Sequence, residues 1–159
     1  MKNERVSIQE ALEQNKRCYF QPKGASMKPL LTQGESTVVI EKLTRPAAIG
    51  DVILFRLGDR NILHRVIGFE NGNIVTRGDN NFFNEYVSES DVLGIMTGCF
   101  RTRNSAFMSC EGQQYRAYCS TLWTYRTYRK ARTVLSKAKH TVTGDKRKVL
   151  PAARTAELT

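Results

Sequence analysis

Between Ser36 and Met96 the chain never runs far without a turn signal, and this excludes most architectures. Short β-rich runs cover residues 37–42, 51–57, 62–69, 73–76 and 92–96. Gly58-Asp59 with Asn61 marks a turn between the second and third runs, and Asn71-Gly72 is a strong two-residue hairpin signal between the third and fourth. Five or six strands packed into about 60 residues leave no room for crossover helices. The pattern predicts a mostly β domain with an antiparallel, folded-over sheet.

Helical patterning flanks this region. Residues 3–17 predict one short N-terminal helix, with Ile8, Ala11 and Leu12 on its core face. Ser7 and Glu10 stand at capping-box spacing. A strand at Cys18-Tyr19-Phe20 then leads into the turn Gln21-Pro22-Lys23-Gly24. Far downstream, Tyr118, Leu122, Tyr125, Tyr128, Ala131 and Leu135 recur at steps of three and four, interleaved with Arg116, Arg126, Arg129, Lys130, Arg132 and Lys137. A basic, aromatic, amphipathic helix is expected over 115–139. Past Thr141 the periodicity ends and the composition turns polar and basic, so 141–159 reads as a disordered tail. The expected organisation is therefore a domain over 1–100, a basic helical extension over 101–140, and the tail.

Charge follows the same division. Residues 1–100 carry 12 Lys+Arg against 12 Asp+Glu, whereas 101–159 carry 13 against 3. The basic excess suits an acidic partner or a solvated face. Three readings of helix 115–139 follow: docking on the sheet, contact with an anionic membrane surface, or phosphate contacts on nucleic acid. The last carries least weight, because no helix-turn-helix precedes it. No apolar run approaches the ~18 residues of a membrane span, and the N-terminus lacks the apolar core of a secretory signal. A cytoplasmic protein is expected, peripheral at the inner membrane face if the helix binds lipid. Cys18, Cys99, Cys110 and Cys119 have no C-x-x-C spacing, and His64 and His140 have no cysteine at ligand spacing, which argues against zinc and for reduced thiols.

Three short stretches carry chemistry: Gly24-Ala25-Ser26-Met27-Lys28-Pro29, Leu63-His64-Arg65-Val66 and Thr76-Arg77-Gly78-Asp79-Asn80-Asn81. A serine hydroxyl is a weak nucleophile until a base takes its proton and a third group holds that base. An unperturbed imidazole, with a pKa of about 6.5, is mostly neutral at pH 7 and can take that proton, but it needs an anion to fix its tautomer. Asp79 stands at a turn across the Asn71-Gly72 hairpin from His64. Spacing alone leaves Glu85 and Asp91 open as the acid.

These stretches, together with Ile49-Gly50-Asp51-Val52-Ile53-Leu54-Phe55 and Asp91-Val92-Leu93-Gly94-Ile95-Met96, resemble the signal peptidase I and SOS-repressor peptidase superfamily of serine proteases. The first looks like that family's G-x-S-M-x-P nucleophile box. The matches come in family order over roughly residues 20–100. Histidine at position 64, where bacterial members place a lysine, followed by a T-[KR]-G-D-N-N segment, is similar to the endoplasmic-reticulum and archaeal branch. The resemblance implies a signal-peptidase-like fold and a serine endopeptidase acting on an extended peptide or precursor. Ser26 would be the nucleophile, His64 the general base and Asp79 its orienter. Gly24, Ala25, Met27 and Pro29 would shape the turn, and the Ser26 amide would help form the oxyanion hole. No metal or cofactor is implied. Two departures stand out: no membrane span precedes the nucleophile box, and Gly24 occupies the place of an oxyanion-hole serine. Where some relatives carry a second aspartate, this chain has Glu85. The competing reading is a degenerate member that binds peptides or acts as a membrane adaptor without cutting them.

Overall fold

A computed structural model describes residues 8–15 and 17–143. The chain divides into two compact units, Met1–Trp123 and Thr124–Thr159.

The first unit is built on one eight-stranded sheet in which every pairing is antiparallel. The strands are β1 (Arg17–Phe20), β2 (Thr37–Glu41), β3 (Val52–Leu57), β4 (Arg60–Glu70), β5 (Asn73–Arg77), β6 (Glu85–Val87), β7 (Val92–Phe100) and β8 (Phe107–Ser109). Their spatial order is β1-β2-β7-β3-β4-β5-β6, with β8 added on β7. Register breaks at Val39/Ile40, Leu54/Phe55 and Val66/Gly68 locally increase the twist. The result is the curled antiparallel sheet that the turn spacing predicts.

Both hairpin signals form as expected. Leu57 pairs with Arg60 across Gly58-Asp59, and Glu70 pairs with Asn73 across Asn71-Gly72. The latter turn has φ of 49° at Asn71 and 77° at Gly72, the left-handed geometry that Asn-Gly accepts with little strain. Strands β6 and β8 were not anticipated. Each has only three residues, too few for an alternating pattern to register. Strand β7 extends past the expected end at 96, its last residues, Gly98 to Phe100, being paired by β2 on one side and β8 on the other.

Strand β3 separates two cores. Its side chains alternate, so Val52 and Leu54 join one apolar cluster while Ile53 and Phe55 join another. The first cluster takes Met27, Leu30 and Leu31 from the segment around Ser26, Leu12 from helix α1 (Ile8–Asn15), and Tyr115 from helix α2 (Gln113–Thr143). An eight-residue helix is marginal in water. Leu12, 2% exposed, anchors α1 here, and its burial contributes about 2 kcal/mol. Helix α1 is described over Ile8–Asn15, within the expected 3–17, and Arg17 already belongs to β1; residues 3–7, Ser7 of the expected capping box among them, and residue 16 lie outside the described residues.

Residues 101–112 contain β8, and the first turns of α2 belong to the sheet-bearing unit. Helix α2 also runs to Thr143, into the stretch expected to be disordered; residues 144–159 lie outside the described residues. In the second unit the Arg129 guanidinium sits 6.0 Å from the centre of the Tyr125 ring. Among the described residues no helix is long and apolar enough to cross a membrane.

Candidate active site

Ser26 is presented by a turn whose apolar neighbours hold it down. Met27, Leu30 and Leu31 are buried beneath it, while Gly24, Ala25 and Pro29 face solvent. The Lys28 amide donates to the Ala25 carbonyl at 3.2 Å and the Leu31 amide to the Met27 carbonyl at 3.0 Å, closing the turn. The Gly24 amide donates to Gln33 Oε1 at 2.8 Å. Ser26 is left half-buried.

A second turn, Gly78-Asp79-Asn80, docks directly on it. The Asn80 amide donates to the Ser26 carbonyl at 2.7 Å. A Cβ built on Gly78 would lie 2.9 Å from His64 Nε2, 3.0 Å from Ser26 Cβ and 2.7 Å from the Ser26 carbonyl oxygen. One small volume beside Gly78 is thus bordered by both the serine and the imidazole. Only glycine fits, and the reason is space rather than backbone geometry. Gly78→Ala is expected to push Ser26 and His64 apart and slow any reaction at Ser26 by about 100-fold, read as the rate of covalent labelling by a serine-directed probe.

His64 lies in β4, 4% exposed, opposite Ile53 of β3 and edge-on to Phe55 with ring centres 6.2 Å apart. Its Nδ1 is 2.9 Å from Glu85 Oε2. An ionised carboxylate only accepts, so this contact places the proton on Nδ1 and leaves the Nε2 lone pair on the side of Gly78. Glu85 is itself fixed: it stands opposite Thr76 across β5 and β6, and the Thr76 hydroxyl donates to the same oxygen at 3.3 Å.

Asp79, expected to orient His64, instead serves Arg65. Arg65 Nε donates to Asp79 Oδ1 at 2.8 Å and Nη2 to Oδ2 at 2.7 Å, in a pair with side chains 5% and 0% exposed. The physical reason is strand alternation. His64 and Arg65 are neighbours in β4 and point to opposite faces of the sheet. Asp79 meets the face that carries the guanidinium, and Glu85 meets the one that carries the imidazole. Asp91, the other acid left open, is exposed at the end of a 3-10 turn, Glu89–Asp91.

Sequence reasoning missed Arg65 and two tyrosines. Arg65 Nη1 donates to the Tyr115 hydroxyl at 2.7 Å and to the Gly50 carbonyl at 2.8 Å, and the Tyr118 hydroxyl donates to Asp79 Oδ2 at 2.7 Å. Burial pushes the Arg65 guanidinium towards losing its proton, but the Asp79 hydrogen bonds and charge outweigh that and hold it above its ordinary range. Both phenols are held above theirs, first by burial, with the Asp79 charge adding at Tyr118 and Arg65 opposing at Tyr115. They therefore stay neutral at working pH. A signal for this network was present: a charge at 65 between the buried residues His64 and Val66, and tyrosines three apart on one helix face.

Cys119 borders this network, its Sγ 3.7 Å from Arg65 Nη1. All four cysteines are free thiols. Burial pushes Cys99 up to about 11 and Cys110 up to about 12, so neither is prepared as a nucleophile. Among the described residues no group of His, Cys, Asp and Glu side chains could hold a metal ion.

A cleft of about 890 Å3 runs past Ser26 and His64, walled by Phe20, Met27, Leu57, Ile62, Leu63 and Phe83. No protein-family model matches the chain, and no curated protein matches it.

Proposed function

We propose that this chain is a serine endopeptidase of signal-peptidase-like type, cleaving an extended peptide by acyl transfer through Ser26. One observation carries the reading. His64 Nε2 and Ser26 Cβ both lie within 3.0 Å of the Cβ position on Gly78, while a carboxylate engages the far nitrogen of the same imidazole. This supports a serine, base and acid arrangement of the kind hydrolysis uses, with Glu85 as the acid. The curled antiparallel sheet and the order of the motifs agree with the resemblance drawn from sequence.

In the proposed reaction Ser26 Oγ attacks the scissile carbonyl carbon and its proton passes to His64 Nε2. Glu85 stabilises the imidazolium that forms, without taking the proton. The C–N bond then breaks and the imidazolium gives its proton to the departing amine. A water attacks the acyl carbon, passes its proton to Nε2, and Ser26 Oγ leaves with that proton. Because Gly24 has no hydroxyl, backbone amides such as that of Ser26 supply the oxyanion donors. The apolar cleft walls favour an extended segment with apolar side chains near the cut, bound through its backbone and alternate side-chain pockets.

A fluorophosphonate probe tests this with no knowledge of the substrate. The wild-type protein is expected to be labelled at Ser26, and Ser26→Ala and His64→Ala are each expected to abolish labelling. Equal mass shifts in all three proteins, or none in the wild type, would rule hydrolysis out.

A further inference from the structure

The first turns of α2 have no part in the proposed chemistry, yet they reach the turn on which it depends. Tyr115 and Tyr118 are one helical turn apart and share a face. The Arg65 guanidinium carbon lies 5.5 Å from the centre of the first ring and 6.0 Å from the second. Tyr115 accepts from Arg65, and Tyr118 donates to Asp79. The buried ion pair is thus gripped from the helix at both of its ends.

Asp79 stands between the two residues that define the site's geometry. On one side Gly78 approaches His64 Nε2, and on the other the Asn80 amide holds the Ser26 carbonyl. Whatever fixes the Asp79 side chain also fixes this turn, and the turn sets the spacing between serine and imidazole. Arg65 fixes Asp79 from the sheet through two hydrogen bonds in one plane. The phenol of Tyr118, arriving from α2, supplies a third point of support.

We propose that Tyr118 is a positioning residue: through Asp79 it holds the Gly78-Asp79-Asn80 turn, and so the separation of Ser26 from His64. It touches neither the substrate nor the reacting atoms. The first turns of α2 thereby become part of the working site. The inference rests on the serine peptidase reading above.

The alternative is that Tyr118 only packs the helix against the sheet. Tyr118→Phe separates the two, because it keeps the ring and removes the hydroxyl. Leu122→Ala is the comparator: Leu122 is 6% exposed on the same helix, so its truncation loosens packing without removing a hydrogen bond to Asp79. Fluorophosphonate labelling of Ser26 is measured for both variants and the wild type across probe concentrations, with amide hydrogen exchange at Asn80. Tyr118→Phe is expected to lower the maximal labelling rate about tenfold, to leave the half-saturating probe concentration unchanged, and to speed exchange at Asn80. Leu122→Ala is expected to leave both near wild type while lowering the unfolding midpoint. Equal labelling by Tyr118→Phe and wild type overturns the positioning role alone, as does equal slowing in the two variants. An unlabelled wild type overturns the peptidase reading and this role with it.

Discussion

Replacing Glu85 by Gln is expected to slow acylation of Ser26 by about 1,000- to 10,000-fold while leaving the fold intact. The argument is one of tautomers. The Glu85 carboxylate accepts only, so it forces the proton onto His64 Nδ1, 2.9 Å away. An amide in its place can turn its NH2 towards that nitrogen and stabilise the other tautomer, in which Nε2 carries the hydrogen and has no lone pair left to accept the Ser26 proton. No anion then remains to stabilise an imidazolium. Stability should change little, because the replacement is isosteric and the amide can still hydrogen-bond His64 Nδ1 and the Thr76 hydroxyl. The measurements are the fluorophosphonate labelling rate and the thermal midpoint. Asp91→Asn, at the exposed turn before β7, is the comparator and should match wild type in both. A Glu85→Gln protein labelled at the wild-type rate would remove Glu85 from the mechanism.

The largest expected loss of stability belongs to Asp79→Ala. Arg65 is 5% exposed and cannot shed its proton, so removing its partner leaves a full charge in the interior. Breaking a buried pair from one side costs about 3–5 kcal/mol, a large share of the stability of a domain this size. Urea unfolding should show that loss in the midpoint. The double variant Arg65→Met, Asp79→Ala should recover part of it, since no unpaired charge remains. Were the single variant as stable as wild type, the ion pair would have no structural role. The two carboxylates thus separate by experiment: loss of Glu85 slows labelling at nearly unchanged stability, and loss of Asp79 lowers the unfolding midpoint.

Sequence made the frame legible because the frame is made of local signals. Asn71-Gly72 and Gly58-Asp59 need only their own dihedral preferences to turn the chain, and they bracket β4 within a few residues. The serine turn was legible for the same reason, and the mostly β, antiparallel character followed from turn spacing. The choice of acid was not legible, because it depends on a long-range pairing. Glu85 reaches His64 only through the register of β6 on β5, where Thr76 stands opposite Glu85. Three residues preceded by Phe82-Phe83-Asn84 give no alternation from which to read that pairing. Asp79 looked better placed because its motif and turn are conspicuous, yet a turn position does not say which face of the sheet its side chain will meet. Arg65 was the missed clue: a charge between Leu63 and Val66 in a strand buried on both faces needs an anion close by.

The adjacency of His64 and Arg65 has a consequence for how such a chain can change. The proposed proton acceptor and the cation that secures the opposing turn occupy consecutive links of one ribbon, so their orientations are locked together. Losing or gaining a single residue within β4 ahead of them would exchange their sides, placing a guanidinium towards Ser26 and an imidazole towards Asp79. Both functions would fail at once. The tips at Gly58-Asp59 and Asn71-Gly72 lie outside that constraint, and length variation in a lineage of such proteins belongs there.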